Sequence, residues 1–298
     1  MKNVVEVWDE PLVRRLITRY KGKDPEQILE EYAETLLTEA GQSKLPVNVE
    51  GIASLQGIRT RTRSYDFAGR IYAEESGQLV MDLNADDSHP RRRFTAAHEL
   101  MHTAFPGFTK DARYRVDDST EGHQRHRAQE EYLCDVGAAA LLMPRSLLLN
   151  RFSAGRGLSA VENLAAEAEV SLEAAGNRLV SLSQTPALFL VFEVMNKPAD
   201  RSDVRRGVSV EPRLRVKYAA ARGAGLYVPR YKSADANSAF VRALGQKGIV
   251  RGIERPPGLS SGPEYTVEAK AYPRGEVQRV LAMAHISETR REVAVVAR

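Results

Sequence analysis

The sequence predicts a multidomain protein of the α+β class. Its 298 residues exceed what one ordinary core of about 100–150 residues holds, so two or three domains are expected. The first half combines helix-like spacing of apolar residues with a short strand hairpin. From Thr185 onward the chain changes to alternating, strand-like segments. We therefore expect a helix-rich first part followed by a separate α+β domain.

Two helices and a hairpin are expected early in the chain. Apolar residues recur at helical spacing over residues 25–40, and Pro25 lies near the start of that helix. A shorter helix is expected at residues 49–55, ending at Gly57. Residues 68–73 and 78–84 have the pattern of strands, and the short joint between them, which contains a glycine, predicts a hairpin.

Two longer helices are expected after the hairpin. Residues 93–105 are apolar and compatible with a helix that Pro106 and Gly107 terminate. A second helix is expected over residues 126–143, closed by Pro144. The polar stretch between them, residues 108–125, is interpreted as a loop.

The second half predicts two short helices between residues 157 and 183, with a turn at 169–171, and then a strand-rich region. One further helix is expected at residues 236–244. The expected strands lie at residues 187–194, 213–221, 265–271, 277–286 and 292–297. We place domain boundaries near 150 and 184, which gives a first domain (1–150), a helical segment (151–184) and a final domain (185–298).

The composition excludes several classes of protein. Apolar content of 43% and charged content of 28% are typical of a soluble globular chain. No stretch approaches the ~18 apolar residues of a membrane span and the first residues lack a signal sequence, so a cytoplasmic protein is expected. The only cysteine, Cys134, rules out a disulfide framework and a cysteine-rich zinc module. The net charge of +4 permits an acidic or nucleic-acid partner without requiring one.

The strongest chemical pattern is the sequence His98-Glu99-Leu100-Met101-His102. Residues i and i+4 lie on one face of a helix, so His98 and His102 can both bind one Zn²⁺ ion. Glu99 then lies beside the metal and can act as general base towards a water whose pKa the metal has lowered. The pattern predicts a metal-dependent hydrolase. Zn²⁺ suits these ligand types, and Mn²⁺ can occupy similar sites.

A catalytic zinc usually has three protein ligands, and the third is expected from residues 126–143. Glu131 is the preferred candidate, with Glu130 as the alternative. Asp135, four residues after Glu131, is placed to accept the far N–H of a ligand histidine. This arrangement resembles the third-ligand helix of thermolysin-type zinc peptidases. Further candidates for a ligand or a transition-state donor are His123, His126 and Tyr114.

Cys134 has two interpretations. It can be a small core residue among its apolar neighbours, which is how most buried cysteines behave. Alternatively, it is a thiol close to the metal whose oxidation alters metal occupancy. The sequence leaves the choice open.

The order of these motifs resembles the ImmA/IrrE family of metallopeptidases over residues 47–183. Three positions depart from the family pattern, and none of them removes a proposed ligand: the family usually has Gly where Met101 stands, and Ala and Phe where Cys134 and Gly137 stand. The motifs that carry the resemblance are Leu45-Pro46-Val47, the hairpin ending at Asp82-Leu83-Asn84, the run from Arg93 to His102, and the run from Glu131 to Pro144.

The resemblance extends to the rest of the chain. Residues 164–179 are similar to the helix-turn-helix-like region of the family, and the final domain resembles a GAF-like sensor module, which implies an unknown effector. The whole chain looks like the radiation-response regulators of this family. That implies a zincin-like metallopeptidase domain whose substrate is a helix-turn-helix transcriptional repressor, cleaved to induce DNA-damage genes. We expect the hairpin strand at residues 79–83 to be the edge with which the substrate pairs.

A DNA-binding transcription regulator with a structural or vestigial metal is the main alternative. The helix after the turn offers only Asn177, Arg178 and a few serines to base edges, which is weak support for DNA binding. Glu99 discriminates between the two functions, because a structural metal site has no use for a general base. A peptidase of the toxin or phage-regulator type, acting on another repressor, is a third possibility.

Overall fold

A computed structural model of the chain describes residues 7–108, 128–149, 151–200, 205–259 and 261–286. The chain divides into two compact units. The first unit comprises Asn3–Arg151 and Leu164–Ala174, and the second comprises Met1–Lys2, Phe152–Asn163 and Ala175–Arg298. Across the described ranges, no helix is both long and apolar enough to cross a bilayer. The mixed α+β class is as predicted, whereas the three-part division at 150 and 184 stays a prediction.

Six helices are described in the first unit. Asp24 caps α2 by accepting a hydrogen bond from the Gln27 amide, and Asn48 caps α3 through the Gly51 amide. Both helices match the sequence prediction, whereas α1 was not predicted because its nine residues bury only Val13 and Leu16. The helices are α1 (Pro11–Arg19), α2 (Pro25–Glu39), α3 (Val49–Leu55), α4 (His89–Met101), α5 (Ala128–Leu142) and α6 (Arg145–Leu148).

The first unit also contains a three-stranded sheet. Its strands are β1 (Arg59–Arg63), β2 (Gly69–Ala73) and β3 (Leu79–Asn84). The order is β1-β3-β2, with β3 antiparallel to β2 and parallel to β1. The predicted hairpin is therefore confirmed. The expectation that residues 79–83 form an edge was wrong, because β1 pairs with the other side of β3 and leaves β2 as an edge strand.

Helix α4 packs directly on this sheet. A Cβ atom at Gly69 of β2 would lie 2.3 Å from the Thr95 methyl of α4, so only glycine allows the approach. The helix begins at His89, four residues before the predicted start at Arg93, and a 3₁₀ turn, His102–Ala104, continues it. The edge strand β2 consequently runs beside the helix that carries the histidines.

Helices α4 and α5 pack closely where Met101 of α4 meets Gly137 of α5. A Cβ atom at Gly137 of α5 would lie 2.6 Å from the sulfur of Met101 on α4. Met101 therefore fills the space that the absence of a side chain at position 137 leaves between the two helices.

The second unit is built on a five-stranded antiparallel sheet of order β5-β4-β8-β7-β6. Four strands were predicted, but β6 was not. The predicted strand at residues 292–297 lies outside the described residues. The strands are β4 (Ala187–Met195), β5 (Arg213–Arg222), β6 (Val250–Glu254), β7 (Tyr265–Ala271) and β8 (Arg279–Ile286).

Helices cover both faces of this sheet. The predicted helix near residue 240 is α9 (Ala239–Gly245), whose Phe240 packs against Phe192 with ring centroids 4.7 Å apart and ring planes inclined at 33°. On the other face, a Cβ atom at Gly176 would lie 2.5 Å from the Phe189 ring. β4 is therefore buried on both sides, which explains why its sequence is almost continuously apolar.

The two short helices predicted between residues 157 and 183 are present. They are α7 (Gly157–Ala168) and α8 (Leu172–Ser181), joined by a turn in which Glu169 has a φ of 53°. Arg178 of α8 is only 4% exposed, so it is not presented to a base edge as the DNA-binding alternative requires. The helix-turn-helix-like and GAF-like assignments stay predictions.

Candidate metal centre

The two histidines of the motif lie side by side on α4. Their rings are 5.2 Å apart between centroids and are inclined at 76°. The side chain of His98 is 15% exposed, whereas that of His102 is 4% exposed. Glu99 is buried and close enough to His98 for its charge to favour the imidazolium. The helical spacing therefore brings both imidazoles and the carboxylate together, at the boundary between interior and solvent.

Glu131 of α5 faces the Nε2 atoms of both histidines. One carboxylate oxygen lies 3.0 Å from His98 Nε2, and the other lies 3.8 Å from His102 Nε2. Its side chain is half exposed, so this side of the imidazoles borders solvent. The residue predicted as third ligand thus lies between the two nitrogen atoms that point outward.

The opposite nitrogen of each histidine contacts a different carboxylate of α5. His98 Nδ1 lies 2.8 Å from Asp135, and His102 Nδ1 lies 2.9 Å from Glu130. Carboxylates that accept the far N–H fix the ring orientation and make the remaining nitrogen a better ligand. Asp135 lies where the spacing argument places it. Glu130, weighed as an alternative ligand, faces the inner nitrogen of His102.

The His98 imidazole is held in its protonated form when no metal is present. Burial disfavours the charged ring, but hydrogen bonds to Asp135 and Glu131 outweigh it and raise the pKa of His98 to about 10. Burial likewise disfavours the Glu131 carboxylate, yet its hydrogen bond to His98 keeps the pKa of Glu131 below its ordinary value. The carboxylates of Asp135 and Glu131 therefore stabilise a positive charge at the His98 imidazole.

A second set of donor atoms includes Cys134. Its sulfur lies 3.3 Å from His102 Nδ1, and one donor each from His98, His102 and Cys134 lie within 4.8 Å of one another. The buried Glu130 carboxylate already occupies that side of His102. An ion bound by the thiol would also lie beside a fully buried side chain. We therefore favour the set with Glu131, whose half-exposed carboxylate borders solvent, as a catalytic zinc site with a bound water requires.

The outward donors fit a zinc ion. Ligand atoms of tetrahedral Zn²⁺, with bonds of about 2.0–2.1 Å, are separated from each other by about 3.3 Å. The Glu131 carboxylate approaches the histidine nitrogens on that scale, with one oxygen 3.0 Å from His98 Nε2 and the other oxygen 3.8 Å from His102 Nε2. Two imidazoles and one carboxylate are also a ligand set found in hydrolytic zinc sites.

Three other residues were proposed for the site. Tyr114, His123 and His126 lie outside the described residues. The sequence argument did not identify the contact between Glu130 and His102. Because Glu130 and Glu131 are adjacent, only the rotation of α5 about its axis decides which of them faces outward.

Similarity to known proteins agrees with the motif. Residues 53–180 match the family profile described as the IrrE N-terminal-like domain. The chain is 33% identical over 207 residues to the radiation response metalloprotease IrrE of Deinococcus radiodurans, covering 65% of this chain and 60% of that protein. It is 38% identical over 116 residues to the protein of the same name from Deinococcus deserti, covering 38% of this chain and 40% of that one. The chain thus spans less than two thirds of the length of these relatives.

A solved structure shares the architecture over most of the chain. It is described as a Mycobacterium tuberculosis transcriptional regulator, and it matches with a TM-score of 0.57 at 17% sequence identity. The match covers 92% of this chain and 80% of that one. At this identity the similarity concerns the fold alone.

Proposed function

Since residues 53–180 match the IrrE N-terminal-like domain, we propose that the chain is a zinc-dependent endopeptidase of the ImmA/IrrE family with a regulatory substrate. The observation that carries this proposal is the convergence of His98 Nε2, His102 Nε2 and the Glu131 carboxylate at the boundary with solvent. Behind them, Asp135 and Glu130 hold the inner nitrogens. A packed helix pair needs no such arrangement for its stability.

In this proposal His98, His102 and Glu131 hold the metal. A bound Zn²⁺ lowers the pKa of a water towards about 7 and polarises the scissile carbonyl, and Mn²⁺ can act similarly. The raised pKa of His98 means that metal uptake must displace a proton from that ring. Metal binding is therefore expected to be favoured by higher pH.

Glu99 is the proposed general base. It follows His98 directly on α4 and is 9% exposed, so its carboxylate is largely withdrawn from bulk water. There it can accept the proton of the attacking water and return it to the leaving amine. Asp135 and Glu130 have the supporting role of fixing the two rings while this proton moves.

The proposed substrate is a helix-turn-helix transcriptional repressor, and its cleavage would induce radiation-response genes. Support comes from the relatives, which are named radiation response metalloproteases. An extended loop of the substrate would pair with an exposed sheet edge, and β2 is an edge strand that lies against α4. This assigns to β2 the role that the sequence argument gave to residues 79–83.

The DNA-binding alternative receives less support. Of the polar residues that α8 was expected to present to DNA, Arg178 is buried, which leaves Asn177 and the serines. Sequence-specific helices in the major groove normally present several side chains to base edges.

The decisive variant is Glu99→Gln. It retains the shape of the side chain and all proposed ligands but removes the base, so we expect intact zinc binding and a fall in cleavage of at least about 100-fold. The purified protein would be incubated with candidate repressors, with and without a chelator, and the products analysed by mass spectrometry. Glu39→Gln, an exposed carboxylate of α2, is the matched control. Full regulatory competence of Glu99→Gln would instead support the DNA-binding function.

A further inference from the structure

The segment that precedes α1, residues 7–10, is bonded to the first turn of α5. The Glu10 carboxylate accepts hydrogen bonds from the amides of Gln129, at 2.9 Å, and Glu130, at 3.0 Å. In return, the Gln129 side-chain oxygen accepts from the amides of Asp9 and Glu10, at 3.0 and 3.1 Å. Its side-chain nitrogen donates to the Val7 carbonyl at 3.0 Å. We call this reciprocal arrangement the Glu10–Gln129 clamp.

The clamp satisfies groups that a helix cannot satisfy itself. Amides in the first turn of a helix have no intrahelical acceptor, and a negative charge near them is favoured by the helix dipole. Glu10 provides both an acceptor and a charge to two consecutive amides of α5. Because Glu10 is about 120 residues away in sequence, this contact fixes the position and rotation of the first turn against another part of the first unit.

The clamp holds residues that are next in sequence to the proposed metal ligand Glu131. The amide held by Glu10 belongs to Glu130, whose carboxylate contacts His102 Nδ1 at 2.9 Å. The next residue is Glu131, which faces the Nε2 atoms of both histidines. A small rotation of this turn would move both carboxylates relative to the imidazoles. The placement of Glu130 and Glu131 therefore depends on the first turn that Glu10 holds.

We infer that Glu10 is a positioning residue for the metal centre, acting through the amides of Gln129 and Glu130. This inference rests on the proposed function, because it assumes that Glu131 and the two histidines bind zinc. It adds that docking of residues 7–10 and metal binding are coupled. Such coupling is reciprocal: a docked segment raises zinc affinity, and bound zinc stabilises the docked segment.

The chain contains its own reporter of the clamp. Trp8 is the only tryptophan, and its ring stacks on Tyr132 of α5 at 6.3 Å between centroids and an angle of 26°. Undocking of residues 7–10 would expose the indole to water. Trp8 fluorescence therefore measures docking without reference to the metal.

The test compares Glu10→Gln with Glu34→Gln. Glu34 of α2 accepts hydrogen bonds from the Ser146 amide and hydroxyl, at 3.0 and 2.7 Å, in the first turn of α6. Both substitutions remove a carboxylate that caps a helix from a distance, but α6 carries no proposed ligand. Zinc affinity would be measured on the full chain by competition with a chromophoric chelator. We expect Glu10→Gln to bind zinc about tenfold more weakly and Glu34→Gln to remain within about twofold of the unsubstituted protein.

Two further readouts separate the possible failures. In the metal-free Glu10→Gln variant, the emission of Trp8 should shift to longer wavelength. In the unsubstituted protein, added zinc should increase the protection of the Gln129 and Glu130 amides from hydrogen exchange. Equal zinc affinities of the two variants, or a loss of thermal stability without a loss of affinity, would overturn the inference. If the unsubstituted protein binds no zinc, the proposed function fails. In that case unchanged exchange at these amides in Glu10→Gln would refute the clamp as well.

Discussion

The two units bury charged groups in different ways. In the first unit, the buried Glu130 carboxylate contacts the buried His102 imidazole, and both side chains carry atoms that can bind metal. In the second unit, the guanidinium of the buried Arg215 donates to the carbonyls of Met195 and Tyr231 and to the Ser233 hydroxyl, and it lies 3.9 Å from the Asp200 carboxylate. These contacts join β5 to neighbouring segments of the same unit and include no imidazole or thiol. Burial of charge alone therefore does not indicate a functional site. A functional site is indicated where several potential metal-ligand atoms converge and keep lone pairs directed towards solvent.

The largest effect is expected from His102→Ala in the first unit. It removes one proposed ligand and leaves the buried Glu130 carboxylate without its imidazole. We expect cleavage and stoichiometric zinc binding to be lost, and the metal-free protein to be destabilised by about 3 kcal/mol. Metal content measures the loss of zinc binding, and urea unfolding in the presence of a chelator measures the loss of stability. Retention of one zinc per chain by His102→Ala would contradict the assignment.

Arg215→Met provides the contrasting case in the second unit. It removes hydrogen bonds to two carbonyls and one hydroxyl, which should cost about 1–3 kcal/mol of unfolding free energy. Because none of these partners belongs to the first unit, zinc affinity should be unchanged. Chelator competition and urea unfolding test this. A weakened zinc affinity would break the distinction drawn between the units.

The close contact between Met101 and Gly137 predicts that substitutions at these two positions compensate each other in stability. Gly137→Phe alone should destabilise the first unit by about 1–3 kcal/mol, because the new ring collides with Met101. Adding Met101→Gly should recover most of that loss. The urea midpoints of the two single variants and the double variant form the necessary cycle. Simple additivity of the two effects would refute the proposed contact.

An effect of pH is expected on the stability of the metal-free protein. The folded pKa of His98, about 10, lies above its ordinary value of 6.5, so folding binds this proton more tightly than the unfolded chain does. The resulting stabilisation is complete below about pH 6.5 and is lost as pH rises to about 10. Unfolding in chelator across that range should show the decline, and Asp135→Asn should reduce it. An equal decline in stability with pH in the unsubstituted protein and in Asp135→Asn would argue against the His98–Asp135 contact.

Much of the fold follows from local sequence patterns. The helices α2 and α3, the β2–β3 hairpin and the α7–α8 pair were predicted because apolar spacing, caps and turn residues act within a few positions. The strand β1 was missed because its sequence, Arg-Thr-Arg-Thr-Arg, lacks an apolar side. Missing it also produced the wrong edge, since parallel pairing of β1 with β3 joins segments that local patterns do not connect.

The candidate site was predictable to the level of helix faces. The i, i+4 spacing of His98 and His102 placed two imidazoles together, and the spacing of Glu131 and Asp135 placed two carboxylates on one helix. The distinct position of Glu130 depends on the rotation of α5, which tertiary contacts such as the Glu10–Gln129 clamp determine. Nothing in the sequence near residue 130 identifies a partner so far away.

The central claim concerns which atoms bind the metal, and X-ray absorption at the zinc edge tests it most directly. The account predicts only nitrogen and oxygen ligands at about 2.0–2.1 Å, contributed by His98, His102, Glu131 and water. The spectrum of Cys134→Ala should then be identical to that of the unsubstituted protein. A sulfur ligand at about 2.3 Å that disappears in Cys134→Ala would contradict the account, since it would place the ion on the inner side of His102.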